Sequence, residues 1–197
     1  GIFQLNRTPA PPRVLEQMLQ SILHRGPDED GRLVDAELVM GMRRLSIIDL
    51  ADGHQPISDE TGRYSVVFNG EIYNYRELRE QLLARGHRLK THSDTEVIVH
   101  LFEERGPECL EDLRGMFAFA VWDNQDRSLF LARDRLGIKP LYTTQVGDAF
   151  IFASEIKALL THPGVSATLD LQALTEYLSL KYVPSPRTLF AGIRSLP

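Results

Sequence analysis

Tyr64-Ser65-Val66-Val67-Phe68 is a run of β-branched and aromatic residues, and Asn69-Gly70-Glu71 follows it at once. The run reads as a strand. The Asn-Gly pair accepts positive φ, so a sharp turn is expected where that strand ends. Downstream, helical patterns over 75–85 and 95–104 each close on an Arg-Gly pair, Arg85-Gly86 and Arg105-Gly106, and Ser93-Asp94 stands where it would cap the second. Beyond Gly115 the chain turns strand-rich, at 116–122, 128–132, 140–144 and 149–153, with spacings that suit an antiparallel meander. Upstream, Pro9, Pro11 and Pro12 precede apolar residues at helical period, which predicts a helix over 13–23 stopped by Gly26-Pro27; a short apolar stretch over 38–48 then reads as a buried strand. Strands arriving in two groups around a helical block imply two packed sheets with helices outside, an α+β arrangement.

Composition narrows the function classes. The chain has 197 residues, 43% of them hydrophobic, enough for one substantial core or one core and the start of a second. The net charge of -5 and the absence of a basic arm argue against a nucleic-acid partner. Apolar runs such as 116–122 are too short to cross a bilayer and no signal-peptide pattern opens the chain, so a soluble protein is expected. One cysteine, Cys109, cannot form an internal disulfide, which fits a reducing cytoplasm. A last helical pattern over 169–180 is followed by Pro184-Ser185-Pro186, which reads as extended linker.

Polar clusters lie beside the apolar strands. Arg44 falls inside an apolar segment, where a guanidinium must meet a carboxylate, either a ligand's or an internal one. Asn69 and Gly70 at a strand end could offer a side-chain amide and a backbone N–H to a developing oxyanion, or simply make a turn. Glu71 and Asp94 could pair a ligand ammonium, or serve as caps. Arg133, Arg135 and Lys139 could attract phosphate, but no Gly-rich loop accompanies them and Asp134 between them suggests an ion-pair network. His24, His54, His87, His92, His100 and His162 show no zinc spacing, so no metal is expected; Cys109, among acids, is expected to be inert.

Taken in order, these clusters resemble the class II glutamine amidotransferase domain of glutamine-hydrolysing asparagine synthetases. The matching strings are His24-Arg25-Gly26-Pro27-Asp28, Arg44-Leu45-Ser46-Ile47-Ile48-Asp49, Phe68-Asn69-Gly70-Glu71-Ile72-Tyr73-Asn74, Ser93-Asp94-Thr95-Glu96, Gly115-Met116-Phe117-Ala118-Phe119, Arg133-Asp134-Arg135-Leu136-Gly137-Ile138-Lys139-Pro140-Leu141-Tyr142 and Ser154-Glu155-Ile156-Lys157-Ala158-Leu159. The resemblance implies a four-layer αββα sandwich of the N-terminal nucleophile type, with two antiparallel sheets. It implies a glutaminase domain over 1–165, then a linker and the start of a C-terminal synthetase domain over 166–197. The implied reaction is attack of an N-terminal cysteine thiolate on the glutamine side-chain amide, then thioester hydrolysis to glutamate and ammonia.

By the same resemblance, Asn69 and Gly70 hold the oxyanion, Arg44 grips the substrate α-carboxylate, Leu45, Ser46, Ile47 and Ile48 line the pocket, and Glu71 and Asp94 fix the α-ammonium. No cofactor is expected in this domain; ATP and magnesium belong to the synthetase domain, where aspartate would be amidated. The expected partners are L-glutamine and that domain of the same polypeptide, and a homodimer is allowed. Gly1-Ile2-Phe3 resembles the tail of an opening Cys-Gly-Ile-x-Gly-Ile-Phe, so the nucleophile is expected upstream of Gly1 and these residues alone are expected to be inactive. Two alternatives stand: a relative that amidates another acceptor, and a non-catalytic glutamine-binding domain.

Overall fold

Helix α1 (Pro12–Ser21) begins at the end of the proline run, where the ring fixes φ and the missing N–H is not needed in the first turn. Its buried residues, Leu15, Met18 and Leu19, are the i, i+3 and i+4 positions of the apolar period. The computed structural model describes residues 1–44 and 53–197. The elements in chain order are β1 (Ile2–Gln4), α1, β2 (Glu29–Val34), β3 (Leu38–Arg44), β4 (Ile57–Ser58), β5 (Tyr64–Ile72), α2 (Tyr75–Ala84), α3 (Glu96–Arg105), β6 (Gly115–Asp123), β7 (Ser128–Arg133), β8 (Tyr142–Val146), β9 (Ala149–Ala153), α4 (Ile156–Leu159), α5 (Leu171–Leu180) and β10 (Arg194–Ser195). The strands form a six-stranded sheet of order β10-β8-β9-β1-β3-β2 and a four-stranded sheet of order β4-β5-β6-β7. Antiparallel sheets with helices make this the expected α+β class. Two compact units divide the chain, 1–25 with 33–40 and 140–197, and 26–32 with 41–139.

In the first unit β1 is an interior strand, antiparallel to β9 and to β3. Ile2 packs with Leu15, Leu19, Val39, Ile151, Leu159 and Ile193 in one buried cluster. His24, Arg25 and Lys157 converge on Glu155, so this part of the first polar cluster is a local ion-pair group. Residues 166–197, set apart from 1–165 in the sequence reading, lie in the same compact unit as 140–165. There β10 pairs with β8, Ile193 is buried, and Asp170 caps α5 by accepting from the Ala173 N–H.

In the second unit α3 packs on α2 and on β5, and Val66, Phe68 and Ile72 of β5 join Leu78, Leu82, Val97, Ile98, Leu101, Phe117 and Phe119 in the core. Burial of each such side chain favours folding by about 1.5–3 kcal/mol. Three expectations are corrected here. The Asn69-Gly70 turn does not form, because β5 continues to Ile72 with Asn69 opposite Ala118 and Gly70 opposite Phe117. Nine residues of register with β6 outweigh a dipeptide turn preference. The strands after Gly115 are not one meander: β6 and β7 belong to the four-stranded sheet, β8 and β9 to the other. The change of sheet follows the 134–139 loop, where Asp134 accepts from the N–H groups of Phe117, Ile138 and Lys139. Asp134 therefore binds backbone, and among the described residues it is not the hub of an ion-pair network. The strand expected over 38–48 is present as β3 from Leu38 to Arg44, and the rest of that stretch lies outside the described residues.

Candidate functional site

Strand β5 is buried from Ser65 to Phe68, half open over Asn69, Gly70 and Glu71, and closed again at Ile72. Side chains clamp the backbone on both flanks of that opening. The Phe68 N–H donates to Gln55 Oε1 at 2.7 Å and the Ile72 N–H donates to Asp94 Oδ2 at 2.9 Å. Gln55 Nε2 also donates to Thr95 Oγ1 at 3.3 Å, so one amide ties β5 to the approach to α3. Gly70 is required by space: a Cβ there would stand 2.1 Å from the Met116 carbonyl oxygen and 2.7 Å from Phe117 Cα.

Within this frame Asn69 Nδ2 is buried and has no hydrogen-bond partner. A buried donor left unpaired costs about 1–3 kcal/mol, and such groups are rare in folded proteins. A fixed donor with nothing to bind is suited to an oxygen that arrives with a ligand. Asp94 is buried and does not cap α3 as expected; its carboxylate has turned to β5, while Ser93 Oγ accepts from the Thr95 N–H. Burial pushes the Asp94 pKa up, the Ile72 N–H opposes this, and the Glu71 carboxylate pushes it up further. Two acids beside an opening, one of them buried, make a place where an ammonium group lowers the electrostatic cost. Asn69, Gly70, Glu71 and Asp94 are thus brought together by one strand end and the segment before α3.

Arg44 is buried at the end of β3, where its Nη1 lies 3.4 Å from Glu29 Oε2. Glu29 also pairs with His54. The carboxylate that a guanidinium needs at this position is therefore present internally, which was one of the two readings open for Arg44. Leu45, Ser46, Ile47 and Ile48 lie outside the described residues. Sequence reasoning missed Gln55 and Glu29. Neither carried a local signal, since Gln55 stands in a loop ahead of Pro56 and Glu29 on a strand of alternating exposure.

Two of the three basic candidates hold backbone carbonyls. Arg133 donates to the carbonyls of Lys139 and Gly137 at 2.7 and 2.5 Å, and Arg135 to that of Leu110 at 2.9 Å. These guanidiniums brace loops, which leaves the phosphate reading without support. Cys109 is buried, and burial, with a lesser push from Asp112, takes its thiol pKa up to about 12; it is no nucleophile at neutral pH.

Comparison with known proteins gives the family. The chain is 45% identical over its whole length to asparagine synthetase [glutamine-hydrolyzing] 1 of Bacillus subtilis, and spans 31% of that protein. It is 40% identical to asparagine synthetase [glutamine-hydrolyzing] 3 of the same organism, over 93% of this chain and 30% of the relative. Asparagine synthetase [glutamine-hydrolyzing] 2 of Arabidopsis thaliana is 45% identical over 75% of this chain and 25% of its own length. The chain thus spans less than a third of these curated relatives. Among solved structures, the glutamine phosphoribosylpyrophosphate amidotransferase of B. subtilis, complexed with ADP and GMP, superposes with a TM-score of 0.69 at 24% identity, over 81% of this chain and 42% of its own. That likeness bears on the fold alone and matches the expected sheet-and-helix class. The profile of the glutamine amidotransferase domain family matches residues 1–197, and the chain belongs to that family.

Proposed function

We propose that this chain is the glutamine-hydrolysing part of an asparagine-synthetase-like enzyme, and that L-glutamine binds at the open end of β5. The observation that carries this reading is the buried, unpartnered Asn69 Nδ2 beside the Glu71–Asp94 acid pair. Asn69 Nδ2 and the Gly70 backbone N–H would bind the oxyanion, a contribution of about 3 kcal/mol per donor. Glu71 and Asp94 would take the α-ammonium. Arg44 would take the α-carboxylate, the substrate anion sharing the guanidinium with Glu29, and Leu45, Ser46, Ile47 and Ile48 would line the pocket.

By resemblance the nucleophile is a cysteine that precedes Gly1. Its α-amino group takes the thiol proton as sulfur adds to the amide carbon to give the oxyanion, then returns that proton to the amide nitrogen as the C–N bond breaks and ammonia leaves. Water then cleaves the thioester to release glutamate and restore the thiol. Ammonia would pass to a synthetase domain that uses ATP and magnesium to amidate aspartate. The apolar residues exposed on and after α5, including Leu171, Leu178 and Tyr182, are suited to being covered by that domain. A homodimer and a cytoplasmic setting remain part of the reading; among the described residues no helix is long and apolar enough to cross a membrane.

The test is to join Cys-Gly-Ile-Ala ahead of Gly1, confirm removal of the initiator methionine, and measure glutamate release from glutamine. Turnover that Asn69→Ala lowers by about 10²–10³ supports a glutaminase. A folded protein that binds glutamine without releasing glutamate would instead mark a non-catalytic glutamine-binding domain, and assay of the full parent enzyme with aspartate against other carboxylates settles the acceptor.

A further inference from the structure

The histidines carry no metal motif in sequence, yet the fold gathers two of them with two glutamates. Glu60 stands in the turn between β4 and β5, His87 just past α2, and His100 and Glu103 one turn apart on α3. One potential ligand atom from each of the four lies within 4.8 Å of all the others. His100 Nδ1 is 3.0 Å from Glu60 Oε2 and 3.6 Å from Glu103 Oε2; His87 Nδ1 is 3.6 Å from Glu60 Oε1 and 3.5 Å from Glu103 Oε2. Four ligands around a tetrahedral ion, at bond lengths of about 2.0–2.2 Å, stand about 3.3–3.6 Å from one another. The four separations given lie close to that range, Glu60 offering Oε2 to His100 and Oε1 to His87.

Two features point to a ligand. His100 is 1% exposed, and its Nδ1, close as it is to Glu60, makes no hydrogen bond; the buried Glu103 Oε2 makes none either. Further, both imidazoles turn Nδ1 inward and have a carboxylate behind Nε2. His87 Nε2 meets Glu104 Oε1 at 3.0 Å, with Arg85 holding Glu104, and His100 Nε2 faces Glu96 Oε1 at 3.8 Å. Glu96 is itself fixed by the N–H groups of Lys90 and Thr91 and by the Thr91 hydroxyl. A carboxylate behind the second ring nitrogen is the arrangement that orients metal-bound histidine.

We propose that Glu60, His87, His100 and Glu103 bind a divalent transition-metal ion of the zinc, cobalt or nickel class. Two imidazoles with two carboxylates suit such ions better than magnesium or calcium, which favour all-oxygen sites. The site is structural: it fastens α3 to the β4–β5 turn and to the chain after α2, and so steadies the segment that carries Asp94.

The experiment takes the 197-residue chain, untagged and chelator-stripped, and titrates it with Co²⁺ and then Zn²⁺. One Co²⁺ per chain is expected, with the intense visible absorption of four-coordinate cobalt, displaced by Zn²⁺ and accompanied by a rise in Tm. His87→Gln and Glu103→Gln, both at partly exposed positions, should each weaken binding more than tenfold while circular dichroism stays unchanged. Glu104→Gln should weaken it about tenfold through His87. Should a variant fail to fold, imidazole NMR of the unaltered chain decides, since Zn²⁺ must shift His87 and His100 together. Absence of stoichiometric uptake, or uptake indifferent to these substitutions and to both rings, overturns the proposal and leaves protonated histidines held by glutamates.

Discussion

Asn69→Ala separates a functional role for Asn69 from a structural one. In the free protein Asn69 Nδ2 is buried without a partner, so its removal breaks no hydrogen bond of the resting fold. Deleting an unsatisfied buried donor recovers about 1–3 kcal/mol of desolvation, offset by the packing lost with the side chain. The two effects nearly cancel, and Tm should stay within about 3 °C, since about 1 kcal/mol moves Tm by about 2–4 °C at this size. The effect on catalysis has no such offset. Loss of one oxyanion donor costs about 2.7–4 kcal/mol of transition-state stabilisation, or about 10²–10³ in kcat. KM should change little, because the oxyanion exists only beyond the ground state. The assay is glutamate release by the chain carrying Cys-Gly-Ile-Ala ahead of Gly1, beside a thermal melt of each protein. Unchanged kcat, or a fall in Tm that accounts for the lost activity, would refute the reasoning.

Other substitutions probe the frame around that residue. Gly70→Ala forces a Cβ to within 2.1 Å of the Met116 carbonyl oxygen and should part β5 from β6, lowering stability by about 1–3 kcal/mol in urea titration. For Asp94, burial and Glu71 raise the folded-state pKa, so its stabilising contribution is present below the unfolded value and lost as pH rises through the folded one. Asp94→Asn should therefore be more stable than the parent near pH 7, while glutamine affinity in the parent falls as pH drops through the raised pKa and that limb vanishes in the variant. Glu96 behaves oppositely: burial works to raise its pKa, but His100, Thr91 and the Lys90 N–H bring it down from 4.5 to about 2. Its contribution, about 3 kcal/mol, is present above pH 4.5 and lost on acidification toward pH 2, so Glu96→Gln should flatten the acid limb of the stability profile.

Much of the fold was legible because the periods were strong. The apolar positions of α1, the β-branched run of β5 and the Arg-Gly helix ends are local signals, and local packing honoured them; Gly86 and Gly106 both adopt positive φ. What failed was information held by partners distant in sequence. Asn69-Gly70 looks like a turn until β6 is placed opposite it, and Ser93-Asp94 looks like a cap until the Ile72 N–H claims the carboxylate. Within the site, Asn69, Gly70, Glu71 and Asp94 could be picked out as polar residues beside an apolar strand. Gln55 and Glu29 could not, because their roles exist only through Phe68, Thr95 and Arg44. The Glu60, His87, His100 and Glu103 group was invisible for the same reason: three segments supply it at no recognisable spacing.

The most direct test of glutamine binding at the β5 opening is a ¹H–¹⁵N NMR titration of this chain with L-glutamine. Saturable shifts should concentrate on the Asn69 side-chain amide and the Gly70 and Ile72 backbone amides, with the Arg44 Nε–H joining them. Saturable binding that moves none of these resonances, or no binding at millimolar glutamine by a folded chain, would contradict it.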